Sequence, residues 1–550
     1  MKIFLVGLGL LITWACAATD TSVLPARIND SIHDRMAAGE YPALVVAVVD
    51  GDRSDVYSFG KLDNGTQLNA DTLFEIGSVT KTFTALLLAE QVTAGKLKLD
   101  APVATLLPGF TIASRDGKTI TLGNLAEQRS GLPRMPSNFD PANASDPYVD
   151  YGDDKLQAFL AGYALPRDPG SKYEYSNLGV GLLGYALARH AGVPYETLLK
   201  QRIFGPLGMR SSTVTLDDAS RTRVAGGHDE DGKAVGNWHL NAFVAAGGIR
   251  SSGTDMLRYL KANMGLLNSP LYPSMQLAHT PRAEGPGVDE RIGLVWMTKH
   301  SATGDVVWHN GMTGGYASFI GFTADRKRGV VILVNAQLQV DDLGFATLLS
   351  DVPLAPVHKR ISVSPKDLEA YVGNYQIKPG FILSVFRDDD QLEARATGQG
   401  SFPIYPSSTN EFFARLADIS ISFKRDASGA VDGLVLHQHG DRSAPRVSDA
   451  VADAAQGNKT VALDSATLAG YVGHYQLSPD AMFDITLKDG QLFAKLTGQS
   501  AVPVYASARD KFFCRIVEAK VDFERDASGK VVALVLHEDG TDRRAKRTSD

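Results

Sequence analysis

The stretch LEAYVGNYQIKPG, beginning at Leu368, returns one hundred residues later as LAGYVGHYQLSPD, beginning at Leu468. The register then holds without a break. Thr397-Gly398-Gln399 matches Thr497-Gly498-Gln499, Phe412-Phe413 matches Phe512-Phe513, and the RDASG that begins at Arg425 recurs at Arg525. Leu434-Val435-Leu436-His437 and Leu534-Val535-Leu536-His537 close the two copies. A chain that repeats itself at a fixed interval must build the same unit twice, which constrains the fold more than any composition does.

Each copy alternates apolar and polar residues with a period of two. Leu383 and Val385 share one face, as do Ile419, Ile421 and Phe423, and then Val521 and Phe523 in the second copy. Asp489-Gly490 and Ser528-Gly529 supply turns between such runs. Two small antiparallel β-barrels are therefore expected, lipocalin-like, over residues 363–446 and 463–547; closing the sheet removes exposed edges. The small, polar stretch from Ala452 to Thr460 between them reads as a linker.

The chain of 550 residues is too long for one core, and its first part is of another kind. Residues 1–18, MKIFLVGLGLLITWACAA, carry Lys2 and then a short apolar core ending in small residues, the pattern of a secretory signal peptide. Thr13-Trp14-Ala15 makes a poor lipoprotein box before Cys16. With that segment removed only Cys514 remains, so no internal disulfide is available. No later segment is long and apolar enough to span a bilayer. A net charge of -7 gives no reason to expect nucleic acid or an anionic membrane as partner.

Residues 25–350 are expected to form an α/β domain. Ala43–Val49 is a continuous apolar run, read as a buried strand, and Thr82–Thr93 reads as a helix stopped by Ala94-Gly95. Phe319–Phe322 and Val330–Val334 read as a hairpin across Asp325–Arg328. Strands near both ends with helices between them imply an antiparallel sheet flanked by helices and closed by the domain's own termini.

At the mouth of that helix stands Gly77-Ser78-Val79-Thr80-Lys81. On a helix, positions three apart share a face, so an amine would hang beside a hydroxyl. Alone this is a weak pattern, and Ser78 would serve as well for a helix start. Two further clusters change its weight: Tyr175-Ser176-Asn177, and His309-Asn310-Gly311-Met312 before an apolar strand.

In order and spacing these three resemble the motifs of the serine β-lactamase and penicillin-recognising hydrolase superfamily, in its branch of class C β-lactamases, D,D-carboxypeptidases and D-aminopeptidases. LGNLAEQRSGLP, ending at Pro133, is similar to a family helix and turn, although Arg129 takes a place often held by histidine. Ile203–Met209 and Ala246–Ser252 resemble further landmarks. The resemblance implies Ser78 as nucleophile, with Lys81 and Tyr175 sharing the proton work. It implies Asn177 as a holder of Lys81 and of the substrate amide, and the amides of Ser78 and Met312 as oxyanion donors. Gly311 would leave room for substrate. His309, where lactamases commonly carry lysine, would meet a substrate carboxylate only when protonated, or donate a hydrogen bond.

The implied activity is a serine hydrolase forming an acyl-enzyme on small D-amino-acid amides, short peptides or related esters, without cofactor or metal. The paired barrels resemble the architecture of D-aminopeptidase, in which a barrel loop reaches the cleft. The other readings are a β-lactamase or D,D-carboxypeptidase, and a cell-wall or lipid binding module carried by the barrels beside a vestigial enzyme domain. The scattered histidines (His33, His190, His228, His239, His279 and His300) show no metal-ligand spacing. Arg250 reads as structural, and Ser171 and Ser176 as loop residues. The sequence does not set the oligomeric state.

Overall fold

The computed structural model describes residues 22–548, apart from positions 64, 66, 416–418, 439, 479–480, 518 and 539–540. The segment read as a signal peptide, with Cys16, lies outside the described residues. Two compact units divide the chain, residues 1–354 and 355–550.

The first unit is built on an eight-stranded antiparallel sheet. Strand Ala43–Asp50 pairs with Arg53–Gly60 on one side and with Arg328–Val334 on the other. The order continues through Ala317–Thr323 and Val306–Met312 to three shorter strands. The first strand of the unit therefore lies beside the last. The uninterrupted apolar run follows from burial on both faces. Val45, Ala47 and Val49 enter the larger core with the Thr80–Thr93 helix, while Leu44, Val46 and Val48 pack with Ile28, Ile32 and Leu343 on the opposite face. A strand with two covered faces has no solvent side on which to place polar residues. The hairpin forms where the sequence places it, with Val330–Val334 fully buried. Among the described residues no helix is long and apolar enough to cross a membrane.

The second unit holds two closed barrels of eight strands each, Gly373–Val447 and Gly473–Arg547. The hundred-residue repeat extends to individual hydrogen bonds. Tyr375 OH donates to Tyr371 O at 2.7 Å, and Tyr475 OH to Tyr471 O at the same distance. Gln391 Nε2 and Gln491 Nε2 each reach across a strand pair at 2.7 Å, to Ile404 O and Val504 O. Leu383, Val385, Ile421 and Phe423 fill the first barrel with Ile419 partly buried beside them, and Val521 and Phe523 fill the second. Cys514 is buried there, and burial pushes its thiol up to about 12.

The stretch read as a linker does lie between the two barrels, and its first part is ordered. Asp449–Ala455 is a helix, and its Asp453 is buried and held by Arg515, Nε to Oδ1 at 2.9 Å and an outer nitrogen to Oδ2 at 2.8 Å. Thr460 Oγ1 donates to the same carboxylate at 2.6 Å. The alanines that read as featureless are good helix formers, and the one acid among them meets a bidentate arginine.

Candidate active site

Three local arrangements bring the motif residues together. The first presents Ser78. Strand Leu73–Glu75 pairs with Arg250–Ser252, and the buried Glu75–Arg250 ion pair at 2.9 Å fastens the two; Arg250 has the structural place expected of it. Ser318 Oγ donates to Ile76 O at 2.8 Å. The chain then turns through Gly77 at φ +47° into a single 3₁₀ turn, Gly77–Val79, which runs on as the Thr80–Thr93 helix. Side chains disfavour that backbone region. A Cβ on Gly77 would also stand 2.7 Å from the Met312 nitrogen.

The second arrangement fixes Tyr175. The loop before it is stitched to the segment Gln128–Arg134. The Gln128 carbonyl accepts from Glu174 N at 2.8 Å, and Gln128 Oε1 accepts from Ser176 N at 2.7 Å. Ser176 is more than a loop residue: its hydroxyl accepts from Gly179 N at 2.8 Å and caps the Asn177–Ala191 helix. That cap leaves Asn177 in the first turn, facing Lys81. The third arrangement is the strand Val306–Met312, which lies against the Ser78 turn.

The Ser78 hydroxyl oxygen takes two hydrogen bonds, from Tyr175 OH at 2.7 Å and Lys81 Nζ at 2.8 Å. Lys81 Nζ also meets Asn177 Oδ1 at 2.9 Å and Ala246 O at 2.7 Å. The amine thus has three partners and no accessible surface. Burial lowers the Lys81 pKa; Tyr175 acts to raise it, and Arg134 lowers it further. At Tyr175 burial acts upward, but Lys81, the Ser78 hydrogen bond and Arg134 outweigh it, and the phenol lies below its ordinary value. The guanidinium carbon of Arg134 and the amine of Lys81 each stand 5.0 Å from the centre of the Tyr175 ring. A neutral amine keeps two donors for Asn177 and Ala246 and turns its lone pair to the Ser78 hydroxyl, the arrangement of a base beside a latent nucleophile.

Ser78, Tyr175, Asn177, Gly311 and Met312 line one cleft of about 430 Å³. His309 lies apart from them. Its ring is only 5 % exposed, bonds through Nδ1 to Asn310 O at 2.6 Å, and lines an adjoining cavity of about 140 Å³ behind Tyr175. Burial, reinforced by the charge of Lys81, pushes its pKa down to about 4, so the ring is neutral at physiological pH. A neutral His309 with Nδ1–H engaged offers Nε2 as an acceptor and no charge to a carboxylate.

Gly311 has no room to spare. A Cβ there would stand 2.2 Å from Ile76 O, 2.6 Å from Ser318 Oγ and 2.9 Å from Ser78 N. Two of these are backbone atoms that cannot swing aside. Gly311→Ala is expected to destabilise the unit by about 2–3 kcal/mol and to displace the Ser78 turn. The denaturation midpoint measures this, and a midpoint equal to the parent's would show that the strand can yield.

Other residues on the cleft wall belong to no motif. Arg134 directly follows the LGNLAEQRSGLP landmark, and that adjacency is the one sign of it in the sequence. Tyr148, Trp238 and Asp341 line the same space with no pattern in the sequence to announce them.

The sheet with its helical faces, and a serine turn facing a Tyr-x-Asn loop, define a serine hydrolase of the penicillin-recognising kind. The beta-lactamase family model matches residues 28–349, more than half of the chain, and the chain belongs to that family. A domain of unknown function, DUF3471, matches residues 357–450 and again 458–547, one copy for each barrel. A beta-lactamase of Pseudomonas fluorescens is 27% identical over 342 residues, covering 56% of this chain and 92% of that protein. The D-alanyl-D-alanine-carboxypeptidase/endopeptidase AmpH of Escherichia coli K12 is 28% identical over 350 residues, covering 58% of this chain and 89% of that protein. In fold, the unit is similar to a solved class C beta-lactamase, with a TM-score of 0.53 at 24% identity over 61% of this chain and 98% of that one.

Proposed function

We propose that the protein hydrolyses small amides and esters of acyl-D-alanine-like geometry, β-lactams among them, through an acyl-enzyme on Ser78. One observation carries this reading: the Ser78 hydroxyl lies between Lys81 Nζ at 2.8 Å and Tyr175 OH at 2.7 Å, with the amine buried and its pKa lowered.

In the acylation step Ser78 Oγ attacks the substrate carbonyl carbon and its proton passes to the neutral Lys81. The oxyanion that forms is held by the amides of Ser78 and Met312, donors already in place before charge develops. Their closeness fits the role: a Cβ on Gly311 would reach the Ser78 nitrogen, and one on Gly77 the Met312 nitrogen. The intermediate collapses as Tyr175 gives its proton to the leaving group. In the second step water attacks the ester and yields a proton to the Tyr175 phenolate. Lys81 returns its proton to Ser78 as the acid leaves. Asn177 keeps Lys81 aimed throughout. Neutral His309 bears on the Tyr175 side of the site without taking a charge.

The relatives named as β-lactamases and as a D-alanyl-D-alanine carboxypeptidase support this substrate class over D-aminoacyl amides. Residues 1–18 support export, so that the enzyme would meet cell-wall peptides or β-lactams outside the cytoplasm.

The test is the intact mass of the protein after brief exposure to benzylpenicillin, with the drug assayed in parallel. An adduct on Ser78 that persists supports a carboxypeptidase-like enzyme, and destruction of the drug supports a lactamase. Unmodified protein with intact drug overturns the acyl-D-alanine-like substrate class.

A further inference from the structure

We propose that Arg134 is the anion-receiving group of the Ser78 cleft, pairing with the carboxylate that a substrate carries on the carbon next to its leaving nitrogen. The proposal rests on the reading of the cleft as an acyl-transfer site and deepens it. It moves the carboxylate subsite away from the third motif, at His309, to the segment that follows Pro133.

Of the basic side chains in and behind the cleft, two are unsuited to the task. Lys81 has no accessible surface and spends its amine on Ser78, Asn177 and Ala246. His309 is neutral, held near 4 by burial and the charge of Lys81, and lines the adjoining cavity. Arg134 differs from both. It is exposed and lines the cleft together with Ser78, Tyr175 and Asn177. Its guanidinium carbon stands 5.0 Å from the centre of the Tyr175 ring. Among the described residues that guanidinium makes no hydrogen bond or ion pair.

The backbone fixes Arg134 to the loop that presents Tyr175. Arg134 O accepts from Asn177 N at 3.1 Å and from Leu178 N at 3.3 Å, and Pro133 O accepts from Ser176 Oγ at 2.6 Å. The side chain then lies among the groups of the site rather than out in solvent. Burial dominates the pKa values of Lys81, Tyr148, Tyr173 and Tyr175, and the Arg134 charge acts downward on all four.

The chemistry of the substrate class brings an anion to this place. In an acyl-D-alanine, as in a penicillin, the carboxylate sits on the carbon bonded to the leaving nitrogen. Tyr175 gives its proton to that nitrogen, so the carboxylate comes to rest on the Tyr175 side of the site, where Arg134 stands. A guanidinium presents a planar fork of N–H donors that matches the two carboxylate oxygens. A neutral imidazole whose Nδ1–H is engaged by Asn310 O presents only an acceptor to them. Solvent screens an exposed guanidinium, so the preference it confers is modest.

Asp341 is the other formally charged residue on the cleft wall. Burial pushes its carboxyl up to about 7; the Asn310 hydrogen bond opposes the rise, the carboxylates of Asp342 and Glu290 add to it, and Lys299 opposes it. Between about 4 and about 7, therefore, His309 is neutral and Asp341 largely protonated, and Arg134 carries the charge of the wall. Above that range the Asp341 carboxylate works against an anionic ligand.

Calorimetry on the full-length Ser78→Ala chain, at a pH between those midpoints, measures binding without turnover. N-acetyl-D-alanyl-D-alanine is compared with its C-terminal amide, which has the same shape and no charge. The acid is expected to bind about tenfold more tightly, in the range of a charge-assisted hydrogen bond. In Ser78→Ala/Arg134→Gln the ratio should fall toward one. In Ser78→Ala/Arg134→Lys, which keeps the charge without the fork, part of it should return. Melting curves check that both variants fold, as the absence of hydrogen-bond partners for the Arg134 side chain implies. Equal binding of acid and amide, no detectable binding of the acid, or a ratio that survives Arg134→Gln would each overturn the proposal. So would a loss as complete with lysine as with glutamine. The benzylpenicillin experiment reads bond formation at Ser78, whereas this one reads binding alone. An adduct without a carboxylate preference keeps the chemistry and removes the subsite, and a preference without an adduct does the reverse.

Discussion

Ser78→Ala is expected to abolish turnover while leaving a folded protein. In serine hydrolases whose nucleophile and base act as a unit, removing the nucleophile lowers kcat by about 10⁶-fold. Nothing else in this cleft can replace it. Among the described residues, the hydroxyl at position 78 is the one group that both Lys81 and Tyr175 address, and the Asn177 amide is a poor nucleophile. The structural cost is small by comparison. Lys81 keeps Asn177 and Ala246 as partners, and the turn is held by backbone contacts and by Ser318. The loss of one hydrogen-bonded acceptor amounts to about 1–3 kcal/mol. Hydrolysis rates, the penicillin adduct mass and a melting curve on one preparation measure all of this. Turnover near the parental rate would remove Ser78 from the mechanism.

Lys81→Met has the second largest expected effect. Methionine fills similar volume in a site with no accessible surface, but its thioether is only a weak acceptor, with no basic nitrogen and no donor. Acylation should slow by about 10²–10⁴, the usual range for loss of a positioned base. The pH profile separates this role from a packing role. Burial keeps the Lys81 pKa below the ordinary lysine value, so the neutral, proton-accepting form accumulates as pH rises. The parent's kcat/KM should climb through that range, and the variant should lack the limb. Stability gives an independent sign. Between the folded and unfolded pKa values of Lys81 the unfolded chain binds more protons, so the parent gains stability as pH rises there. Methionine has no such term, and the balance between the two proteins shifts toward the parent with rising pH. Parallel pH–stability curves, together with an unchanged kinetic limb, would rule out Lys81 as the base.

Much of the architecture is legible in the order of residues alone, for identifiable reasons. Alternation over Leu383–Val385 and Val521–Phe523 is a strand property written in neighbouring residues. The hundred-residue repeat guarantees that whatever closes the first barrel closes the second. The run Ala43–Val49 announces a strand buried on both faces because no polar residue interrupts it. The order within Ala452–Thr460, by contrast, is not written in neighbouring residues. Composition there looks like spacer, and the partner that orders it, Arg515, is 62 residues away.

The site divides along the same line. Ser78 and Lys81 pair on spacing, since one helical turn dictates their contact. Tyr175 and Asn177 can be named only because their motif resembles a known one; their placement 97 and 96 residues from their partners comes from the fold. Local pattern fixes which face a side chain takes and which element it joins, because those depend on neighbours along the chain. What tertiary structure alone decided are the protonation states around the cleft: a neutral His309 behind Tyr175, a lysine sealed from water, and an Asp341 carboxyl pushed up by burial. Burial and through-space distance set those states. Both arise only when the sheet brings its first and last strands together and the helices close over it.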